Sequence, residues 1–273
     1  MAKLGIIAGG GNLPRDIVDY CTKIGRPVFV LGLKTFANPN SFEDVDFAEA
    51  GLAQASKALE LLRNAGVTEI VLAGKVERPS LKSLKPDLKA AGILAKLGKG
   101  FLGDNSLMGA VKTAFEEEGF KVVGVDEVFD EVLAAIGTWG QVKPSLENLN
   151  DIKSGLQLAK GIGALDIGQS VVVQDGLCIA VEAIEGTDAM IERSRALVED
   201  EARPILIKVK KPQQDRRLDL PTVGPETVRA VAEAGFAGIA VEAGHTLVVS
   251  KNEMIELADE AGLFLFGAEL EDC

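Results

Sequence analysis

The chain has few of the residues that build most nucleophile and metal sites: one histidine (His245) and three cysteines (Cys21, Cys178 and Cys273) among 273 residues. That count works against a Ser-His-Asp triad and against a histidine-built metal centre, so any metal ion has to be held by carboxylates. The cysteines are far apart, form no CxxC pair and leave one over after pairing. Such a pattern fits a reducing compartment, with neither a disulfide framework nor a zinc site. Aromatics are scarce, with one Trp (Trp139), one Tyr (Tyr20) and 11 Phe, which removes the stacking platform that single-stranded nucleic acid uses. Basic residues are in deficit, 29 against 41 acidic ones. The resulting net charge of -12 argues against nucleic acid as a partner. No apolar run reaches the ~18 residues of a membrane span. The opening MAKLGIIAGGG is too short and too broken by glycine to be a signal peptide. The expectation is a soluble cytoplasmic protein, at most peripheral to a membrane.

Glycine is abundant, at 30 residues, and much of it closes apolar runs. Residues 3–8 (KLGIIA) read as a buried strand that ends in Gly9-Gly10-Gly11. A helix follows over 14–24, with Ile17, Val18, Cys21 and Ile24 at helical spacing, and then a strand over 27–32. Further helices are expected over 56–65 and 104–118, and strands over 69–74 and 121–125. Strand, glycine turn and helix in repetition signal an open parallel sheet with helices on both faces, a Rossmann-like α/β unit. Beyond about residue 150 the pattern changes. Asp175-Gly176 between two apolar runs is the strongest hairpin signal in the chain, and it sits among alternating helices and strands, so a mixed-sheet α/β domain is expected. The length also favours two domains over one of roughly 100–200 residues. They are read as a nucleotide-binding domain at 1–135, a linker at 136–150 and a second domain at 151–273.

Four segments could carry chemistry. The turn Gly9-Gly10-Gly11-Asn12-Leu13-Pro14 joins a buried strand to a helix, where backbone N–H groups and the helix end favour a phosphate. Its spacing is not GxGxxG, and Leu33 and Lys34 stand where an acid would hold an adenosine ribose. A nucleoside diphosphate therefore fits better than NAD, which counts against an oxidoreductase; a tight turn with no ligand is the plain alternative. Lys75, after the third strand, would face the same crevice. It opens a locally basic stretch that includes Arg78, Lys82, Lys85, Lys89, Lys96 and Lys99, most of which reads as a solvated helix face. In Val181–Asp188 a strand runs into a Gly-Thr-Asp helix start with acids around it, although Asp188 could serve only as a helix cap. In Gln214–Gly224 two acids, two arginines and Thr222 crowd one loop. Arginine suits phosphate and Asp suits Mg²⁺, and the Asp219-Leu-Pro-Thr222 stretch is too stiff and too apolar for surface filler. His245 and Trp139 are read as structural.

IIAGGGNLP, AGKVERP, VEAIEGTDAMI and DRRLDLPTVGPET, in that order and across essentially the whole chain, resemble the LpxI-type UDP-2,3-diacylglucosamine pyrophosphatase family. The two later motifs are the more specific. The resemblance implies Mg²⁺-dependent hydrolysis of UDP-2,3-diacylglucosamine to UMP and 2,3-diacylglucosamine 1-phosphate (lipid X) in lipid A biosynthesis. It also implies a homodimer, a nucleotide-binding N-terminal domain and a lipid-covering C-terminal domain with the site between them. Contact with the inner membrane surface would be transient. Carried over motif by motif, Gly10, Gly11, Asn12 and Leu13 would hold the UDP portion, and Thr187 and Asp188 would approach the diphosphate. Asp219 would be the essential acid, holding the metal or positioning water together with Asp188. Lys75 and Thr222 complete the expected substrate contacts. A non-catalytic sugar-nucleotide sensor is the alternative; it would bind a UDP-sugar and release no UMP.

Overall fold

Short apolar runs that stop at glycine build the first sheet. In the computed structural model, which describes residues 1–76, 86–97, 104–198 and 203–270, β1 (Leu4–Ala8) is buried along its whole length. It lies between β2 (Val28–Leu33) and β4 (Glu69–Ala73), with β3 (Phe47–Ala50) and β5 (Lys121–Val123) outside them. The order is β3-β2-β1-β4-β5 and every pairing is parallel. The helices are α1 (Leu13–Lys23), α2 (Ala55–Asn64), α3 (Leu88–Leu97), α4 (Asp104–Glu117) and the short α5 (Val125–Val128). Ile7, Leu31 and Ile70 of the sheet pack with Leu59 and Leu62 of α2 and with Phe120. Strand order reverses between β1 and β4, the place where open parallel sheets bind ligands beyond their carboxyl ends.

The second sheet is mixed, as the hairpin signal implied. Its order is β6-β13-β11-β9-β7-β8, built from β6 (Gly137–Trp139), β7 (Ser170–Gln174), β8 (Leu177–Val181), β9 (Ile205–Lys208), β11 (Gly238–Glu242) and β13 (Phe264–Ala268). The central β13, β11 and β9 run parallel, while β6 and β7 flank them antiparallel. The β7–β8 turn is Asp175-Gly176 with φ of +51° and +77°, the positive pair that such a two-residue hairpin demands. One face carries α6 (Leu146–Ala164), through Ile152, Leu156 and Ala159. The other carries α7 (Thr187–Ser194), α8 (Pro225–Glu233) and α9 (Lys251–Ala261), through Met190, Val228, Val231 and Met254. The stretch 136–150 contains β6 and the capped start of α6, where Ser145 Oγ accepts from the Asn148 amide at 3.2 Å. Trp139 is buried, its Nε1 donating to the Ala135 carbonyl at 2.9 Å. A further strand, β12 (Leu247–Val248), pairs with β10 (Thr222–Val223) in a separate small sheet, and Leu247 also bridges to Leu133.

The chain divides into two units, Met1–Asp130 with Asp215–Asp219, and Glu131–Gln214 with Leu220–Cys273. A five-residue turn from the second half of the sequence is thus part of the first unit. Within that unit the loops after β1 and β4 meet directly. Gly10 and Lys75 exchange both backbone hydrogen bonds at 2.8 Å, and the Gly9 amide donates to Ala73 at 2.8 Å. The approach leaves no room for a side chain, because a Cβ on Gly9 would lie 2.6 Å from the Lys75 carbonyl oxygen. Backbone on both sides cannot yield cheaply, so Gly9→Ala should destabilise the protein by about 1–3 kcal/mol, the usual cost of overpacking. Urea unfolding followed by circular dichroism checks this. An unchanged midpoint would mean that the two loops can part without cost.

Candidate active site

At the carboxyl edge of the first sheet the glycine turn and Lys75 stand side by side, with the side chain of Lys75 exposed. The bridge has a consequence for anion binding: the Gly10 amide is already committed to the Lys75 carbonyl. Beyond the bridge, Gly11 is exposed at φ +84° and leads into the opening of α1. Asn12 is the exposed N-cap residue of α1, whereas the Leu13 side chain is buried, so Leu13 can meet a ligand only through its backbone. Glu77, Arg78, Lys82, Lys85, Lys99 and Cys273 lie outside the described residues, as does the Lys96 side chain. Lys89 is engaged with Glu118, which also holds Arg63.

The Asp215–Asp219 turn reaches the same edge. The Asp215 carbonyl accepts from the amides of Leu218 (2.9 Å) and Asp219 (3.2 Å), and its Oδ1 accepts from the Arg217 amide (3.0 Å). Its carboxylate also binds Lys112 on α4 at 2.9 Å and the Arg217 guanidinium at 2.9 Å. Arg216 pairs with Asp126 on α5, immediately past the carboxyl end of β5. There the backbone comes close, since a Cβ on Gly124 would lie 3.3 Å from the Arg217 Cα. The two arginines expected to suit phosphate are thus occupied in docking the turn. Asp215 is held well below the usual carboxylate range, first by its hydrogen bond from Arg217 and then by Lys112, against the opposing effect of burial. Asp219, at the end of the turn, is half-buried.

In the second unit the remaining expected residues collect at the carboxyl end of β9. Thr187 opens α7 behind Gly186, whose φ is +82°, and Asp188 follows it, exposed. The Thr187 hydroxyl donates to Glu182 Oε1 at 3.0 Å. Lys208, the last residue of β9, donates to Thr187 Oγ1 and to the Thr222 carbonyl, both at 3.1 Å. The Thr222 hydroxyl itself donates to the Leu220 carbonyl at 3.3 Å. Lys208 and Glu182 are buried, at 8% and 7% exposure, and neither was singled out from the sequence. The signal for Lys208 is a lysine ending an apolar strand, Ile205-Leu-Ile-Lys208, where solubility alone would not put one. On the opposite face Glu242, ending β11, is paired with Lys160 of α6 at 2.7 Å. The His245 amide donates to the Glu242 carbonyl at 3.3 Å.

Among the described residues no three His, Cys, Asp or Glu side chains gather as a ligand set for a metal ion. Asp219 and Asp188 belong to different units. This pattern does not suit an ion caged by protein alone. Mg²⁺ commonly takes one or two carboxylates and completes its shell with water and substrate phosphates, a demand that a half-buried acid such as Asp219 can meet.

Two family models match the chain in sequence order, the LpxI N-terminal domain over residues 3–132 and the LpxI C-terminal domain over 135–266. The chain is 40% identical over 279 residues to "UDP-2,3-diacylglucosamine pyrophosphatase LpxI" of Caulobacter vibrioides, covering 100% of this chain and 99% of that protein. Among solved structures, gox2253 overlaps 96% of this chain and 75% of its own, at 13% identity and a TM-score of 0.33. N5-carboxyaminoimidazole synthase from Aspergillus clavatus overlaps 74% and 45%, at 15% identity and a TM-score of 0.23. Overlaps that slight carry no argument about fold or site. With both domain models matched in order and a full-length relative at 40% identity, the protein belongs to the LpxI family.

Proposed function

We propose that the protein is a hydrolase that cleaves the diphosphate of UDP-2,3-diacylglucosamine, giving UMP and 2,3-diacylglucosamine 1-phosphate for lipid A biosynthesis. The full-length relative bearing that activity in its name supports the substrate. The observation that carries the reading is the docking of Asp215–Asp219 on the first unit, at the sheet edge where the glycine turn meets Lys75. An acid, a lysine and a helix start behind a glycine turn are groups that diphosphate hydrolysis can use.

In this reading Gly11, Asn12 and Leu13 hold the UDP portion through the main chain, and Gly10, bridged to Lys75, shapes the turn. Lys75 offsets negative charge on the diphosphate. Asp219 takes the proton of the attacking water or fixes its orientation, and Asp188 assists. Thr222 belongs to the substrate-binding set, and Thr187 opens the helix that carries Asp188. Water adds to one phosphorus as the bridging P–O bond breaks, so each product leaves with one phosphate. Phosphoryl transfer asks mostly for alignment and charge neutralisation, so a few fixed groups suffice. Mg²⁺, with Asp219 and Asp188 as its protein ligands, would supply charge neutralisation to the phosphate oxygens. The acyl chains are assigned to the second unit, and the working form to a cytoplasmic homodimer in transient contact with the inner membrane surface. No described helix is long and apolar enough to cross a membrane.

Asp219→Ala should bind UDP as the unaltered protein does and lose hydrolysis by about two orders of magnitude or more, the scale of a lost proton-transfer group. Isothermal titration with UDP, alongside a UMP-release assay, reads both quantities, and near-normal turnover removes Asp219 from the mechanism. Lys75→Met should raise KM about tenfold, equivalent to ~1.4 kcal/mol of binding, and steady-state kinetics on mixed micelles gives the number. Chelation by EDTA should abolish UMP release and added Mg²⁺ should restore it; full activity in EDTA would remove the metal. An unaltered protein that binds UDP-sugar but releases no UMP under any of these conditions would be a sensor instead.

A further inference from the structure

Thr187 stands at the start of α7, in a motif assigned to the diphosphate, yet its hydroxyl has little left to offer a ligand. A threonine hydroxyl has one hydrogen and two lone pairs. The hydrogen goes to the Glu182 carboxylate at 3.0 Å, which as an anion can only accept. Lys208 Nζ donates to one lone pair at 3.1 Å, and Ser170 Oγ lies 3.4 Å away in position to donate to the other. Glu182 is fixed at its second oxygen by the Gln169 amide at 3.2 Å. Every part of this chain of bonds is buried or half-buried.

Lys208 is the member that joins separate segments. It ends β9, whose neighbour β11 runs parallel to it, so its ammonium lies at the carboxyl edge of the parallel strands, the ligand side of such sheets. One N–H goes to the first residue of α7 and another to the carbonyl of Thr222, three residues after Asp219 in sequence. The two sequence motifs that resemble the family most specifically are therefore pinned to one buried cation. A lysine that only filled space at this position would be replaceable by an apolar side chain. Nothing about strand packing requires a charge to sit at 8% exposure between a helix start and a loop carbonyl.

We infer that Lys208 is a positioning residue for diphosphate hydrolysis: by bonding the Thr187 hydroxyl and the Thr222 carbonyl it fixes the start of α7, and Asp188 with it, relative to the Leu220–Thr222 segment. Thr187 then serves as the link through which Lys208 acts, and the groups presented to substrate at this helix start are Asp188 and the backbone. This inference rests on the proposed hydrolysis.

A double-mutant cycle tests it. Lys208→Met, Thr187→Val and the double variant are assayed for UMP release from UDP-2,3-diacylglucosamine, well below their measured unfolding midpoints. Each single change should lower kcat about tenfold or more, as displaced catalytic geometry does, and leave KM within about threefold. The double variant should fall no more than about threefold below the worse single, because both changes break one link. Should Lys208→Met fail to fold, Lys208→Arg takes its place; it keeps the charge but presents a planar fork that cannot repeat the same two bonds. Wild-type kcat in a folded Lys208 variant, or losses that multiply in the double variant, overturns the inference. An unaltered protein that releases no UMP condemns the proposed hydrolysis itself, a separate result.

Discussion

The turn Asp215–Asp219 depends on Asp215, and the candidate site depends on that turn. A single carboxylate binds Lys112 of α4 and Arg217, and the same residue's carbonyl closes the turn by accepting two amides. Arg216 on Asp126 adds a second tie, at the carboxyl end of β5. Exposed ion pairs contribute little one at a time. Here several share partners and sit on a turn already closed by backbone bonds, so side-chain freedom is lost once for the group and not pair by pair. The result puts Asp219 on the unit that carries the glycine turn and Lys75.

Much of the first sheet could be read from the chain, because its signals are local. Apolar runs such as Leu4–Ala8 and Glu69–Ala73 end at glycine, and helices follow at once. The Asp175-Gly176 hairpin was legible for the same reason, since a positive φ at two adjacent residues leaves a clear choice of residue types. The edge strands β3 and β6 were not. β3 and β6 are four and three residues long, too short for alternation to stand out from a loop. β12 lies outside the main sheet, a placement that its partner, β10, decides.

The site was legible in its residue types and less so in their assignments. That Lys75 belongs beside the glycine turn followed from the topology of parallel sheets. That its carbonyl would take up the Gly10 amide did not, because a bridge between two loops has no periodicity to betray it. Arg216 and Arg217 looked like phosphate ligands, and their partners, Asp126 and Asp215, are visible only once the chain has folded back. The bonds that use up the Thr187 hydroxyl come from Glu182, Lys208 and Ser170, which span three strands or their ends. Chemistry could be guessed from composition and motif; which donor is free and which is spent is a tertiary fact.

Hydrogen–deuterium exchange on the full chain, with and without UDP, is the most direct measure of whether the acid-bearing turn and the glycine turn serve one ligand. Peptides covering residues 9–15 and 215–222 should both exchange more slowly when UDP is present. Slowing at 9–15 with 215–222 unchanged would show that the nucleotide binds without engaging the turn that carries Asp219, and would contradict the arrangement described.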